Sequence, residues 1–490
     1  MEKRPNILLI TTDHHSNRTF KTEAKMPHLQ SLKNQGMYFS RAYTPMPVCC
    51  PTRAMWHSGT YPWYNGVFTQ VHSTPSLTRD LYKNTETYSQ KLRDAGYATA
   101  FVGKWHASWY KSPCDFGFQQ WAHPQICRTP GMTNITTADI DCEKTGDLRL
   151  VYEKKLSWPG SEPFTMWGHF EGDIKATNTY QTAQSAVRLI QKYTESGDAP
   201  WHISVNFTEP HDPYLPHKDY LDLYADEEVS LPESVHDNFD GKPGMHRRES
   251  QIWGNLSDDE IREGRKHYLA YCSEIDENIG RIQAALQEAN ADENTVIIYT
   301  SDHGDMLGAH GMWIKSWMPY EEVWNVPLII RHPKMIKAGT QNKRVVNTHW
   351  FANTILDFAD VGRLKNGFDD SLTPYLQDEK PRDTDMAFCV GYGCEFLVTQ
   401  RMVVTDRYKY VFNGFDFDEM YDLENDPNEM HNLAGDDNYA RDRADLQARL
   451  YELMNKYHDP YADLSPYSEA DSSPGDRYGA QRYLPRGRRK

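Results

Sequence analysis

The sequence predicts an α/β protein, with a large, mostly parallel sheet flanked by helices and a smaller C-terminal α+β subdomain on an antiparallel sheet. Three observations predict it. Apolar-rich runs, NILLITT at 6–12, WHISVNF at 201–207, TVIIYT at 295–300 and PLIIR at 327–331, have the character of strands buried on both faces. Helix-period patterns lie between them, and that alternation points to a parallel sheet covered on both sides. Beyond residue 375 the pattern changes to short, partly alternating β-rich segments. With 490 residues the chain exceeds the ~250–300 at which a single core stops growing. It therefore divides into a main domain over 1–375 and a subdomain over 376–490.

Taken in order, the first strand ends at Asp13, and a helix over Met26–Gln35 is stopped by Gly36. The strand MYFSRAY follows. Pro51 begins the next helix, TRAMWHS, closed by Gly59; proline suits the first helical position because its missing N–H has no partner there anyway. Thr87–Asp94 reads as a helix stopped by Gly96, and Tyr97–Val102 as a strand. Residues 110–175, rich in Gly, Pro and aromatics, read as long insertions. Thr179–Lys192 and the long amphipathic Asp258–Leu286 read as helices. In the C-terminal part MAFCV, EFLVT, RMVVT and YKYVF read as strands and Asn438–Tyr457 as a helix. The last thirty or so residues are expected to form a surface arm or the contact of a homo-oligomer.

Composition excludes several functions. Hydrophobic residues at 39% and charged residues at 25% fit a soluble globular protein, and no apolar run approaches the ~18–20 residues needed to span a bilayer. MEKRPNILLI enters a strand-like run directly, with no apolar signal core, so the expected location is cytoplasmic, or periplasmic if the chain given is trimmed. A net charge of -16 disfavours binding to nucleic acid or to anionic membranes but leaves room for one anionic substrate in a local cationic pocket. The basic RGRRK terminus reads as a solvated tail. Cys114, Cys127, Cys142, Cys272, Cys389 and Cys394 show no zinc-type spacing and read as buried small hydrophobes or idle thiols.

In open α/β sheets, sites lie beyond the carboxyl ends of the strands. Those ends carry Asp13 and His14 after the first strand, and Lys104 and His106, in VGKWH, after the third. They carry His211 in FTEPHDPY, Asp302 and His303 in YTSDHGD, and Lys315 in the loop beyond. Taken singly, each has a plainer explanation: a turn or cap for Asp13, a satisfied core histidine for His106, a solvated charge for Lys315. Independent caps and surface charges have no reason to recur at one edge of one sheet, so together they read as a metal site beside a cationic pocket. Lys104 and His106, two apart, would point to the same side of an extended backbone.

Cys49-Cys50-Pro51-Thr52-Arg53 matches C-x-P-[S/T]-R, the signature of type I sulfatases in the alkaline-phosphatase-like superfamily. Its three fixed positions would arise by chance at roughly the per-cent level in a chain this long. PNILLITTD, VGKWH, EPHDPY, SDHGDMLGAHGMWIK and MYDLENDPNEMHNLA resemble further elements of that family, in its order, over roughly residues 5–455. The resemblance implies an alkaline-phosphatase-like sandwich and a sulfuric ester hydrolase. It implies that Cys49, not Cys50, is converted to formylglycine by a formylglycine-generating enzyme, for which Pro51 and Arg53 are needed. By the same resemblance Asp13, His14, Asp302, His303 and the modified Cys49 bind one divalent metal. Lys104 and Lys315 clamp sulfate, His106 is the base that releases the sulfated intermediate, and His211, with Lys315, protonates the leaving oxygen.

This chain departs from the family pattern at His14, where many sulfatases carry Asp or Gln, and at His303, where many carry Asn or Gln. An all-oxygen shell suits calcium, and imidazoles shift preference towards manganese; calcium is the expectation and manganese the alternative. His14 could instead point away. The expected substrate is a sulfated small molecule or saccharide. Two other readings remain: a phosphonate monoester or phosphodiester hydrolase of the same superfamily, disfavoured by the Lys104–His106 pair, and a non-catalytic binder of sulfated ligands.

Overall fold

A computed structural model describes residues 4–73, 76–122, 145–158, 162–197, 199–254, 256–365, 367–377, 385–394 and 397–462. The strands, in chain order, are β1 Asn6–Thr12, β2 Met37–Tyr43, β3 Ala98–Gly103, β4 Gln120–Ala122, β5 Leu148–Leu156, β6 Phe164–Gly172, β7 Trp201–Asn206 and β8 Thr295–Ser301. They continue with β9 Asn325–Arg331, β10 Thr340–Asn342, β11 Val346–Asn347, β12 Ala387–Gly391, β13 Gln400–Val404, β14 Tyr408–Asn413 and β15 Glu419–Asp422.

The main sheet has the order β10-β2-β9-β8-β1-β7-β3-β4, with β11 also paired to β2. It is mostly parallel, as predicted; β9 alone among the described strands of this sheet runs against its neighbours β2 and β8. The two faces of β1 show why its centre, residues 7–10, is wholly apolar. Leu8 and Ile10 enter one core cluster, with Leu189 and Ile190 of the helix Asn178–Ser196 and Ile275 and Ile279 of the helix Asp258–Glu288. Ile7 and Leu9 enter a second, with Ala54 of the helix Cys49–Ser58, Leu92 of the helix Tyr88–Asp94 and Ile355 of the helix Phe351–Phe358. Each face is covered by helices, so every β1 side chain must be apolar or hydrogen-bonded. β1 lies between β8 and β7, so chain excursions leave it to both sides and open a crevice at its carboxyl end.

The C-terminal sheet is antiparallel, in the order β12-β13-β14-β15. Its third cluster includes Leu446 and Leu450 of the helix Ala440–Lys456, and also Met46, Val48, Met55 and Tyr61 from around the Cys49–Ser58 helix. That helix is therefore gripped between the main sheet and the C-terminal sheet.

Several local expectations are corrected. The helix expected at Pro51 starts at Cys49, after Val48 as cap, which makes Pro51 its third residue. The first helical bond runs from the Thr52 N–H to the Val48 carbonyl at 3.2 Å, so proline still removes no bond. The stop is as expected: Gly59 takes φ +65° and donates to the Met55 carbonyl. Within 110–175, read as insertions, β4 joins the main sheet beside β3, and β5 and β6 form an antiparallel hairpin. EFLVT is not a strand: residues 397–399 are irregular, and 395–396 lie outside the described residues. β15, a four-residue strand, was too short to show an alternation. The tail beyond 462, where the oligomer contact was expected, also lies outside the described residues.

A buried ammonium ties the two parts together. Lys409 of β14 pairs with Glu429 at 2.6 Å and with Glu321 of the main domain at 2.8 Å, and donates to the Pro319 carbonyl at 2.7 Å. Lys409→Ala should strand two carboxylates and destabilise the fold by about 3–5 kcal/mol, the range for breaking a buried pair. Urea midpoints of the C-terminal transition measure it. A loss under about 1 kcal/mol, the range of exposed pairs, would show that water replaces the ammonium.

Candidate active site

The residues foreseen at the strand ends converge around Cys49. The turn of β8 places Asp302 and His303 beside Asp13 at the end of β1, and all three are fully buried. His303 Nδ1 lies 2.9 Å from the Gly304 carbonyl, which can only accept. Nδ1 therefore carries a proton, and Nε2 lies 3.1 Å from Cys49 Sγ and 3.6 Å from Asp13 Oδ1. Cys49 Sγ is 3.5 Å from the same Asp13 oxygen.

His14 takes a left-handed backbone, φ +69°, which costs a non-glycine residue roughly 1–2 kcal/mol. The turn puts its Nδ1 2.8 Å from Asp305 Oδ2 and its Nε2 3.6 Å from Asp13 Oδ1. His14 thus faces the cluster, and Nε2 is buried with no hydrogen-bond partner. Tyr214 donates to the same Asp305 oxygen at 2.8 Å, and Tyr268 donates to the His14 carbonyl at 2.7 Å. One donor atom each from Asp13, Cys49, Asp302 and His303 lie within 4.8 Å of one another, and so do donors from Asp13, His14, Cys49 and His211. Inward carboxylate oxygens, a His303 Nε2 turned to Cys49 and an orphaned His14 Nε2 fit a divalent cation.

Cationic side chains enclose this group. Arg53, one helical turn beyond Cys49 and on the same helix face, donates from Nε to Asp302 Oδ2 at 2.7 Å and from Nη1 to the Lys104 carbonyl at 3.0 Å. Its Nη2 lies 3.5 Å from Asp13 Oδ2, which the Lys104 ammonium also contacts closely. Gly103, φ +84°, permits the approach of Lys104: a Cβ there would lie 2.1 Å from the Asn206 carbonyl. The extended Lys104–His106 segment is not observed. His106 has φ +52°, and its Nε2 turns to His72 Nδ1 at 3.1 Å. The His211 ring lies tilted against that of His14, 4.2 Å between centroids, with Nδ1 2.6 Å from the Asp212 carbonyl. Lys315 is half-buried and acts electrostatically on Cys49 and Asp212.

The family model described as sulfatase matches residues 5–361, and one described as N-sulphoglucosamine sulphohydrolase, C-terminal, matches residues 308–456. The chain belongs to the sulfatase family. It is 30% identical over 479 residues to the uncharacterised sulfatase YidJ of Escherichia coli strain K12, covering 94% of this chain and 89% of that protein. It is 28% identical to an N-acetylglucosamine-6-O-sulfatase of Bacteroides thetaiotaomicron, covering 93% and 87%. A solved structure described as a complex with its substrate D-glucosamine-2-N,6-O-disulfate superposes with a TM-score of 0.73 at 23% identity, covering 93% and 99%. The phosphonate monoester hydrolase of Agrobacterium radiobacter shares the fold too, with a TM-score of 0.68 at 21% identity, covering 93% and 96%. This chain is a sulfatase enzyme, of a family that generally uses a metal ion and formylglycine.

The sulfatase site is polarised. Burial, and then Asp13, raise the Asp302 carboxyl, whereas Asp13 is held well below the usual carboxylate range: Lys104, His211 and Arg53 outweigh its burial. Burial alone would raise the Cys49 thiol, but Lys104, His303 and Lys315 bring it well below the ordinary value. Position 49 is thus built to carry negative charge, at a helix start whose free N–H groups favour it. Cys50 is the opposite case: burial and its neighbour Cys49 push its thiol well up. Burial and Lys104 press His106 down to about 4, which leaves it neutral at pH 7 and able to accept a proton. Burial would lower His14, but its Asp305 bond prevails and holds it at about 10 while no cation competes.

Sequence reasoning missed Asp305, Tyr214, Gln70 and His72. Asp305 lay in the quoted SDHGD, but nothing in the sequence paired it with His14. Gln70, whose Nε2 is 3.6 Å from Cys49 Sγ, sits in a loop without periodicity. Of the aromatic residues around the signature segments, Tyr61, Trp313 and Trp317 are core, whereas Tyr64 and Tyr110 are exposed.

Asp305→Ala should release His14 and weaken divalent-cation affinity about 10–100-fold, the usual effect of losing a partner behind a ligand. Titration of the metal-stripped enzyme with Ca2+ measures it. Unchanged affinity would place His14 outside the cation's shell.

Proposed function

We propose that this sulfatase hydrolyses a sulfate monoester of a saccharide or similar small alcohol, using formylglycine at position 49 and one divalent cation. The observation that carries this reading is the setting of Cys49. It lies at a helix start, against Asp13 and His303, inside the positive field of Lys104 and Lys315. The names of the relatives support sulfate-ester chemistry, and the N-acetylglucosamine-6-O-sulfatase supports a saccharide.

Asp13, Asp302, His303 and the modified position 49 would hold the cation, with His14 as a further ligand. Calcium is proposed, with manganese as the alternative that the imidazoles permit. When bound, the cation supplies Lewis-acid polarisation and lowers the pKa of the nucleophilic hydroxyl. The chain's own groups do the rest. Lys104 and Lys315 hold sulfate oxygens and stabilise charge that develops on them. Arg53 fixes Asp302 and faces the nucleophile. His211 donates a proton to the leaving oxygen as the ester bond breaks. The hydrated aldehyde at position 49 offers two hydroxyls: one attacks sulfur as the ester bond breaks and keeps the sulfate. His106, neutral at pH 7, then takes the proton of the other, so that the aldehyde re-forms and the carbon–oxygen bond to sulfate breaks. Maturation requires a formylglycine-generating enzyme acting on Cys49-Cys50-Pro51-Thr52-Arg53.

The second reading, phosphonate monoester or phosphodiester hydrolysis, draws on the shared fold and on the Asp302–His303 pair. Two measurements separate them. In protein from its native host, the tryptic peptide Ala42–Arg53 should carry an aldehyde at Cys49 and an alkylatable thiol at Cys50; two intact thiols would sink the mechanism. That protein should turn over an aryl sulfate with higher kcat/KM than an aryl phosphodiester; the reverse order favours the second reading.

His211→Ala should lower kcat/KM for a saccharide sulfate by about 10²–10⁴-fold, the range for a general acid. The loss should be far smaller for an aryl sulfate, whose leaving group needs no proton. Equal losses would remove His211 from that role.

A further inference from the structure

The turnover proposed above leaves Cys50 without a part, yet the structure gives it specific neighbours. Cys50 is the second residue of its helix, rotated away from the Asp13 cluster, and its thiol is buried. The loop that follows the helix returns across this helix start. Gln70 faces Cys49, the Val71 N–H donates to Cys50 Sγ at 3.4 Å, and His72 reaches the surface beside His106.

We propose that Cys50, His72 and His106 form a second cation site, separate from the Asp13 cluster and selective for zinc-like ions. One donor atom from each of the three lies within 4.8 Å of the others. His106 Nε2 and His72 Nδ1 are 3.1 Å apart. Two nitrogens bound to zinc at ~2.0–2.1 Å in tetrahedral geometry are about 3.3 Å apart, so a shift of a few tenths of an ångström opens the seat. His106 Nδ1 is buried without a hydrogen-bond partner. The ring is therefore incompletely satisfied. Thiol and imidazole donors, with no carboxylate among them, favour zinc or cobalt over calcium or magnesium. Binding exchanges the Cys50 thiol proton, released to water, for the metal–sulfur bond. The Val71 N–H already stands ready to donate to the thiolate. His72 is exposed and provides the way in, and three protein ligands leave a fourth position for water.

The consequence for activity rests on the role proposed for His106: an ion on its ring occupies the lone pair that accepts the proton. Zinc at this site would inhibit the enzyme without displacing the resident cation.

The test uses the mature enzyme, with its resident cation and with Cys49 conversion confirmed by mass, so that position 49 has no thiol. Titration with Co2+ should give one equivalent of a thiolate-to-cobalt charge-transfer band, bleached by Zn2+. The band should be absent in Cys50→Ser. In His72→Ala, cobalt should bind at least about tenfold more weakly, since even a partner behind a ligand is worth that much. His72 is a surface residue, so this variant remains informative if Cys50→Ser fails to fold. A wild-type band that survives unchanged in either variant, or no band at all, overturns the site. Zinc inhibition of equal strength in wild type and His72→Ala overturns it as well. Cobalt binding that follows Cys50 and His72 while turnover is unaffected supports the site and instead removes His106 as the base.

Discussion

Two buried carboxylates held side by side are the constraint on which the structure turns. Asp13 and Asp302 emerge from adjacent parallel strands, β1 and β8, into a fully buried crevice. Left alone, one of them would stay protonated, because desolvation and mutual repulsion act together. Arg53 and Lys104 hold Asp13 low against this without separating the pair, while burial and Asp13 still raise Asp302. The guanidinium bridges both carboxylates, and the ammonium sits on Asp13. That arrangement is costly to assemble. It gains its use by concentrating anionic oxygen where a cation and a nucleophile can meet.

The fold supplies rigidity for this at three levels. The register of β1 with β8 pairs Thr12 with Ser301 and so fixes the height at which Asp13 and Asp302 appear. The Cys49–Ser58 helix presents Cys49 and Arg53 from one face and is clamped from both sides. Tyr61, just beyond it, donates to the Phe388 carbonyl of β12, and the Val390 N–H donates to the Pro45 carbonyl just before it. The C-terminal sheet is thus part of the support of the active site, not an appendage. Behind this group, Asp305, held by Tyr214, sets the rotation of the His14 ring, and Tyr268 holds its backbone carbonyl.

Much of this was legible in the chain. Strands buried on both faces read as apolar runs, because helices cover both sides of the sheet. The site was legible because parallel strands bring their carboxyl ends to one edge, so that Asp13, Lys104, His211 and Asp302, far apart in the chain, become neighbours. Short or irregular elements were not legible. β4 and β15 have three and four residues, too few for a period to emerge. EFLVT is rich in strand formers, yet its described residues, 397–399, are irregular and the strand begins only at Gln400. The two-residue spacing of Lys104 and His106 misled, because a left-handed turn at His106 breaks the extended geometry on which that argument relied.

The sequence by itself determined the fold class, the alternation of buried strands with helices, and the residue types at the strand ends, since these follow from local period and from chain order. Only the tertiary structure decided which way His14 faces, that Arg53 spans two carboxylates, that Asp305 stands behind His14, and that Cys50 meets His72 and His106. Each of these depends on distances between segments far apart in the chain. Such distances are set by the packing of whole elements, of which no single stretch of sequence carries a trace.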